Sequence, residues 1–128
     1  MKVEKISITR DDVMLLLTME SGGFDYWGRI DFDEEDYRAA RAEMKEKGIC
    51  SGQVCYEDVL AYMIYDTNYS VYIRDVEDDV YRLTKEMIEK GFLQNLQERP
   101  EDGSLEDGDA ITGDSIMQYA IFGELVYG

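Results

Sequence analysis

The side chains able to do chemistry here are carboxylates, tyrosines and two thiols, because the chain has no histidine. Cys50 and Cys55 enclose four residues in "CSGQVC". A tetrahedral zinc site needs two further cysteine or histidine ligands, and the chain has none to supply. A thioredoxin-type pair has two intervening residues, not four. A disulfide is geometrically possible but belongs to oxidising compartments. The two cysteines therefore read as core or inert thiols. The acids of "DVEDDV", from Asp75, and of "EDGSLEDGD", Glu101 to Asp109, have a loose calcium-like spacing. Neither has the full loop with its central glycine and final glutamate. Both read as turns with a solvated acidic face, with weak divalent binding as the alternative. There is no Gly-x-Ser-x-Gly, no phosphate-cradling glycine loop and no His-based dyad. Carboxylate pairs arise by chance among 29 acids, whereas glycosidase chemistry needs two held at a set separation in a cleft. The expectation is a protein that is not an enzyme, with no cofactor and no metal. A small carboxylate enzyme or divalent metal binder is an alternative.

Charge points to binding instead. The 29 acids against 13 bases leave a formal charge of -16. That exceeds what solubility needs. It repels nucleic acid phosphates and attracts basic surfaces. No direct nucleic acid contact is expected. The expected partner is a basic protein surface, such as that of a nucleic-acid-binding protein. Rows of carboxylates can also imitate the phosphate spacing of DNA. Ten tyrosines add amphipathic contact area of the kind enriched at interfaces. The expected partner-binding set joins both residue types: Asp31, Asp33, Glu34, Glu35, Asp36, Tyr62, Tyr65, Asp66, Tyr69, Tyr72, Asp75, Glu77, Asp78, Asp79 and Tyr81.

These residues need elements to hold them. Thr9 and Asp12 form a capping box for a helix over "RDDVMLLLTMES", expected to stop at Gly22-Gly23. Phe24, Tyr26, Gly28 and Ile30 then alternate with Asp25, Trp27, Arg29 and Asp31, as in a short extended segment. Asp33 or Asp31 caps a second helix over Glu34 to Lys47, acids early and bases late, ended by Gly48. A turn at Ser51-Gly52 precedes a third helix from about Tyr56 to Tyr65. Alternation in "YSVYIRDVEDDVYRL" predicts a hairpin turning on "VEDD". Thr84 caps a long helix in which Gly91 is a weak point. "ERPEDGSLEDGD" reads as an acidic loop, residues 98–109. Asp114 or Thr112 caps a short last helix, and "FGELVYG" closes as a strand. The fold class is α+β: one domain, residues 1–128, with four to five helices and a short antiparallel sheet or hairpin. "MKVEKISITRDD" lacks an apolar signal core, and no apolar run spans a bilayer. A cytoplasmic protein with no membrane partner is expected.

Three segments carry a resemblance: "ITRDDVMLLLTMESGGFDYW", "YIRDVEDDVYRLTKEMIEKG" and "IMQYAIFGELVYG". Together they resemble a family of small acidic accessory proteins carried by phages and conjugative elements of Gram-positive bacteria. The matching residues are Thr9, Arg10, Asp11, Asp12, Gly22, Gly23, Tyr26 and Trp27, then Gln118, Tyr119, Ala120, Phe122, Gly123, Glu124 and Gly128. Many relatives carry cysteine directly after the tryptophan, where this chain has Gly28. The stretch from Asp31 to Asn68 departs most. The resemblance implies a structural role for Gly22, Gly23, Tyr26, Trp27, Phe122 and Gly123. It also implies an inhibitor of a host defence nuclease complex, of anti-restriction or anti-CRISPR type. A structural or regulatory partner of the mobile element's own proteins is the alternative.

Overall fold

Thr9 starts the first helix as its sequence requires. Its hydroxyl accepts from the Asp12 amide (3.1 Å), and the Asp12 carboxylate accepts from the Thr9 amide (2.8 Å). Such a cap contributes about 1 kcal/mol. The structure, a computed structural model, describes residues 7–49, 56–99 and 110–128. Among these residues the elements run α1 (Arg10–Thr18), a wide turn (Glu20–Phe24), β1 (Gly28–Phe32), α2 (Glu34–Lys47), α3 (Tyr56–Asp66), β2 (Val71–Asp75), β3 (Val80–Arg82), α4 (Lys85–Glu98) and α5 (Ala110–Phe122). The class is α+β, with five α-helices and one three-stranded antiparallel sheet in the order β1-β2-β3.

Every residue of α3 from Val59 to Ile64 is buried. It is the central helix, with α1 and α2 packed against it. Val71 and Ile73 of β2 and Ile88 of α4 extend the same core. Asp33 caps α2 by accepting from the Asp36 amide (2.9 Å), and Gly48 ends it at a left-handed φ of 65°. Thr84 caps α4 through the Met87 amide (3.2 Å). The hairpin pairs Tyr72 with Arg82, Ile73 with Tyr81 and Arg74 with Val80, leaving "VEDD" as its turn.

Four expectations are corrected. The first helix does not run to Gly22-Gly23. It ends at Thr18, and the glycine pair lies within a turn whose Asp25 amide reaches back five residues to the Glu20 carbonyl (2.9 Å). This π-type turn buries Phe24, so the strand starts only at Gly28. Gly91 is a point of closest approach, not a weak point. A Cβ there would lie 2.5 Å from the Ile116 carbonyl oxygen, so α4 crosses α5 backbone to backbone. The last helix starts at Ala110, which puts Thr112 and Asp114 inside it and not at its cap. Residues 124–128 form no strand, because their backbone pairs with a side chain, as described below. The expected turn at Ser51-Gly52, Cys50, Cys55 and the acidic loop from Pro100 to Asp109 lie outside the described residues, as does most of the amino-terminal lead.

Candidate functional site

Trp27 sits at the corner between the wide turn and β1 and is 1% exposed. Its indole N–H donates to Asp114 of α5 (2.6 Å). Its ring stacks on Tyr127 (5.6 Å between centroids, 6° between planes) and tilts against Phe122 at 5.3 Å. Tyr26, the neighbour, is 50% exposed yet donates its hydroxyl to the other Asp114 oxygen (2.7 Å). Burial, with Asp114 adding to it, pushes the Tyr26 phenol up to about 12. One helical turn on, buried Gln118 does the work of a strand. Its carbonyl oxygen accepts from the amides of Val126 (2.7 Å) and Tyr127 (2.8 Å), and its amide donates to Asp114 (2.9 Å) and to the Tyr127 carbonyl (3.0 Å). A glutamine side chain is itself an amide, so it satisfies the tail as a neighbouring strand would. Gly123, at a φ of 76°, turns the chain out of α5 toward that clasp.

The tail brings this corner to the hairpin. The Tyr81 ring meets Phe122 edge-on at 5.5 Å, and Phe122 lies 5.9 Å from Tyr127. Burial raises the phenol pKa of both tyrosines. The nearby charges of Asp75 and Asp79 add to that for each, and Glu77 adds further for Tyr127. The result is one acidic and aromatic surface. The exposed carboxylates of Glu77, Asp78 and Asp79 project from the tip, between Val76 (61% exposed) and Val80 (47% exposed). None of the three has an ion-pair partner among the described residues. A cleft of about 180 Å³ lies beside them, lined by Asp25, Trp27, Arg29, Arg74, Val76 and Asp78.

The fold spreads the other expected partner residues apart and removes two. Tyr62 is 1% exposed within the all-buried central helix. Its hydroxyl donates to Glu43 (2.9 Å) and accepts from Lys47 (3.0 Å), so it is a core residue and not a contact. Asp75 is 6% exposed, and one of its oxygens accepts from the amides of Glu77 (2.9 Å) and Asp79 (3.0 Å). It builds the hairpin turn, including the left-handed Asp78 (φ 65°), so its carboxylate is buried in the turn and not presented at the tip. Asp33 caps α2, Asp36 accepts from the Ser70 amide (2.9 Å), and Asp66 pairs with Arg10 (2.6 Å). Glu34 pairs at 3.7 Å with Arg38, and Glu35 is exposed. Tyr65, Asp66 and Tyr69 line a second cleft, about 290 Å³, with Arg82 and Lys85. Tyr69 also donates to Glu43, which holds that carboxyl below the usual range. Asp31 and Tyr72 are cross-strand neighbours.

Sequence reasoning missed Asp114 and Gln118 as the organisers of the corner. Their signal was present: Asp114 and Gln118 stand four apart, on one helical face, and Gln118 interrupts the otherwise apolar "IMQYAIF". Among the described residues, no three acids or thiols gather as a metal site, and no helix is long and apolar enough to cross a membrane. The chain matches no known protein family, no curated protein and no solved structure.

Proposed function

We propose that this protein captures a basic, partly apolar protein surface and blocks it, as an inhibitor of a host nucleic-acid-binding defence enzyme in the bacterial cytoplasm would. The observation that carries this reading is the hairpin tip. Glu77, Asp78 and Asp79 stand exposed between two exposed valines, next to Tyr81 and Tyr127, on a chain of charge -16. Uncompensated carboxylates attract lysine and arginine over the screening length, and the valines and rings supply the apolar contact that holds. A basic nucleic-acid channel combines the same two needs.

The test is binding to purified restriction or CRISPR nucleases with basic channels, measured against salt. Affinity should fall as salt rises. Reversing Glu77, Asp78 and Asp79 to lysine together should weaken it by about tenfold or more, a change of at least about 1.4 kcal/mol. Asp75 stays native in that variant because it builds the turn. A triple variant that folds and still binds as wild type would move the contact elsewhere. Failure to bind any such nuclease at low salt would defeat the reading itself.

A further inference from the structure

The two edges of the sheet are treated differently. Asp33 donates to the Ser70 carbonyl (3.2 Å), which fixes the β1–β2 ladder so that Ile30 and Phe32 face outward. The amides of these two residues are closed by carboxylates: Ile30 donates to Glu20 (2.7 Å) and Phe32 to Asp31 (2.8 Å). On the other side Leu83 donates to Val71 (2.8 Å) and Asp75 to Asp79 (2.9 Å). Val80 and Arg82 therefore aim their amides and carbonyls away from β2. No residue among those described accepts from either amide. An open edge is a template for another strand.

We propose that the β3 edge docks on the same edge of a second copy of this chain, antiparallel about Tyr81, to form a two-fold dimer with one continuous sheet. In that register Val80 lies opposite Arg82 of the second copy, and both pairs present outward groups, so backbone hydrogen bonds form on each side of the axis. The charge along the edge fits the same symmetry. It is acidic at Glu77, Asp78 and Asp79 and basic at Arg82 and Lys85. Antiparallel docking sets the acidic end of one chain against the basic end of the other. A foreign strand would have to reverse its own charge over the same few residues, whereas a second copy does so by construction. The net charge of -16 on each copy opposes the approach, so salt strengthens this association while it weakens capture of a basic partner. The two proposals thus fail separately.

Sedimentation or light scattering of the protein alone tests it. The mass should rise with concentration from 14.8 kDa toward twice that value, and further with added salt. Val80→Pro should hold the protein at the monomer mass with unchanged circular dichroism. Proline there removes an outward amide and no ladder bond. Arg82→Glu, which repels the acidic tip of the second copy, should do the same if the proline variant fails to fold. Hydrogen exchange at the Val80 and Arg82 amides should slow with concentration, while Ile30 does not change. A constant monomer mass overturns the proposal, as does association that both variants leave intact. Protection of Val80 and Arg82 only by an added basic partner assigns the edge to that partner instead.

Discussion

The bond between Trp27 and Asp114 ties the first third of the chain to its last helix, and its worth can be isolated. The indole N–H is buried and 2.6 Å from a carboxylate oxygen. A hydrogen bond to a charged group contributes about 1.5–3 kcal/mol net, and a buried donor left without a partner costs about 1–3 kcal/mol. Asp114→Ala also deprives Tyr26 and Gln118 of an acceptor. Tyr26 is exposed enough to turn to water, and Gln118 keeps the Tyr127 carbonyl. The loss is therefore dominated by Trp27 and should total about 2–4 kcal/mol, a large share of the roughly 5–15 kcal/mol that holds a domain folded. Trp27→Phe keeps a ring in the stack and removes only the donor and part of the area. In the double variant the bond is already gone, so the two effects should fall short of additivity by about 1.5–3 kcal/mol. Urea unfolding followed by far-ultraviolet circular dichroism is the assay, because Trp27 is the sole tryptophan and its variant has no indole emission. Thermal midpoints should move by roughly 3–5 °C per kcal/mol for a chain of this length. Coupling smaller than about 0.5 kcal/mol would mean that the contact is incidental and that stacking alone holds the corner.

Three further outcomes are expected. Asp75→Ala should destabilise the fold by about 1–3 kcal/mol, since two turn amides lose their acceptor; reversal of Glu77 alone should leave the urea midpoint in place, and equal effects from the two changes would contradict the division drawn between them. Gln118→Ala should release the tail, seen as rapid proteolysis after residue 123 while α4 and α5 stay protected; a tail as resistant as wild type would show that ring stacking suffices. Tyr26 ionises near 12 when folded against 10.0 when free. Its contribution to stability is whole below pH 10 and is lost as pH climbs through 12, and it is small because half the side chain meets water. An ultraviolet titration should lose one late-ionising phenol in Tyr26→Phe, and an unchanged curve would refute the assignment.

The elements whose signals are local were legible. Thr9, Asp33 and Thr84 cap the helices expected of them, Gly48 ends α2, and the hairpin takes the register its alternation implies. Two of the misreadings involve partners distant in sequence. Gly91 looks like a flaw until α5 is laid across it, and Asp114 looks like a cap until Trp27 is placed beside it. "FGELVYG" has the residues of a strand, but its hydrogen-bonding partner is a glutamine side chain, which no alternation pattern encodes. At the candidate site, acidity was legible and exposure was not. Tyr62 and Asp75 look like their neighbours in one dimension; burial of α3 and the geometry of a tight turn set them apart.

The corner also fixes an order of events during synthesis. The indole waits for a partner 87 residues later in the chain, and the Tyr26 hydroxyl for a carbonyl 101 residues later. While α5 is still inside the ribosome, α1, the wide turn and the sheet strands are already outside, with the Trp27 ring lacking both its acceptor and the Phe122 and Tyr127 rings that cover it. A nascent chain in that interval shows an apolar surface to chaperones and proteases. Completion of the last helix is what withdraws it.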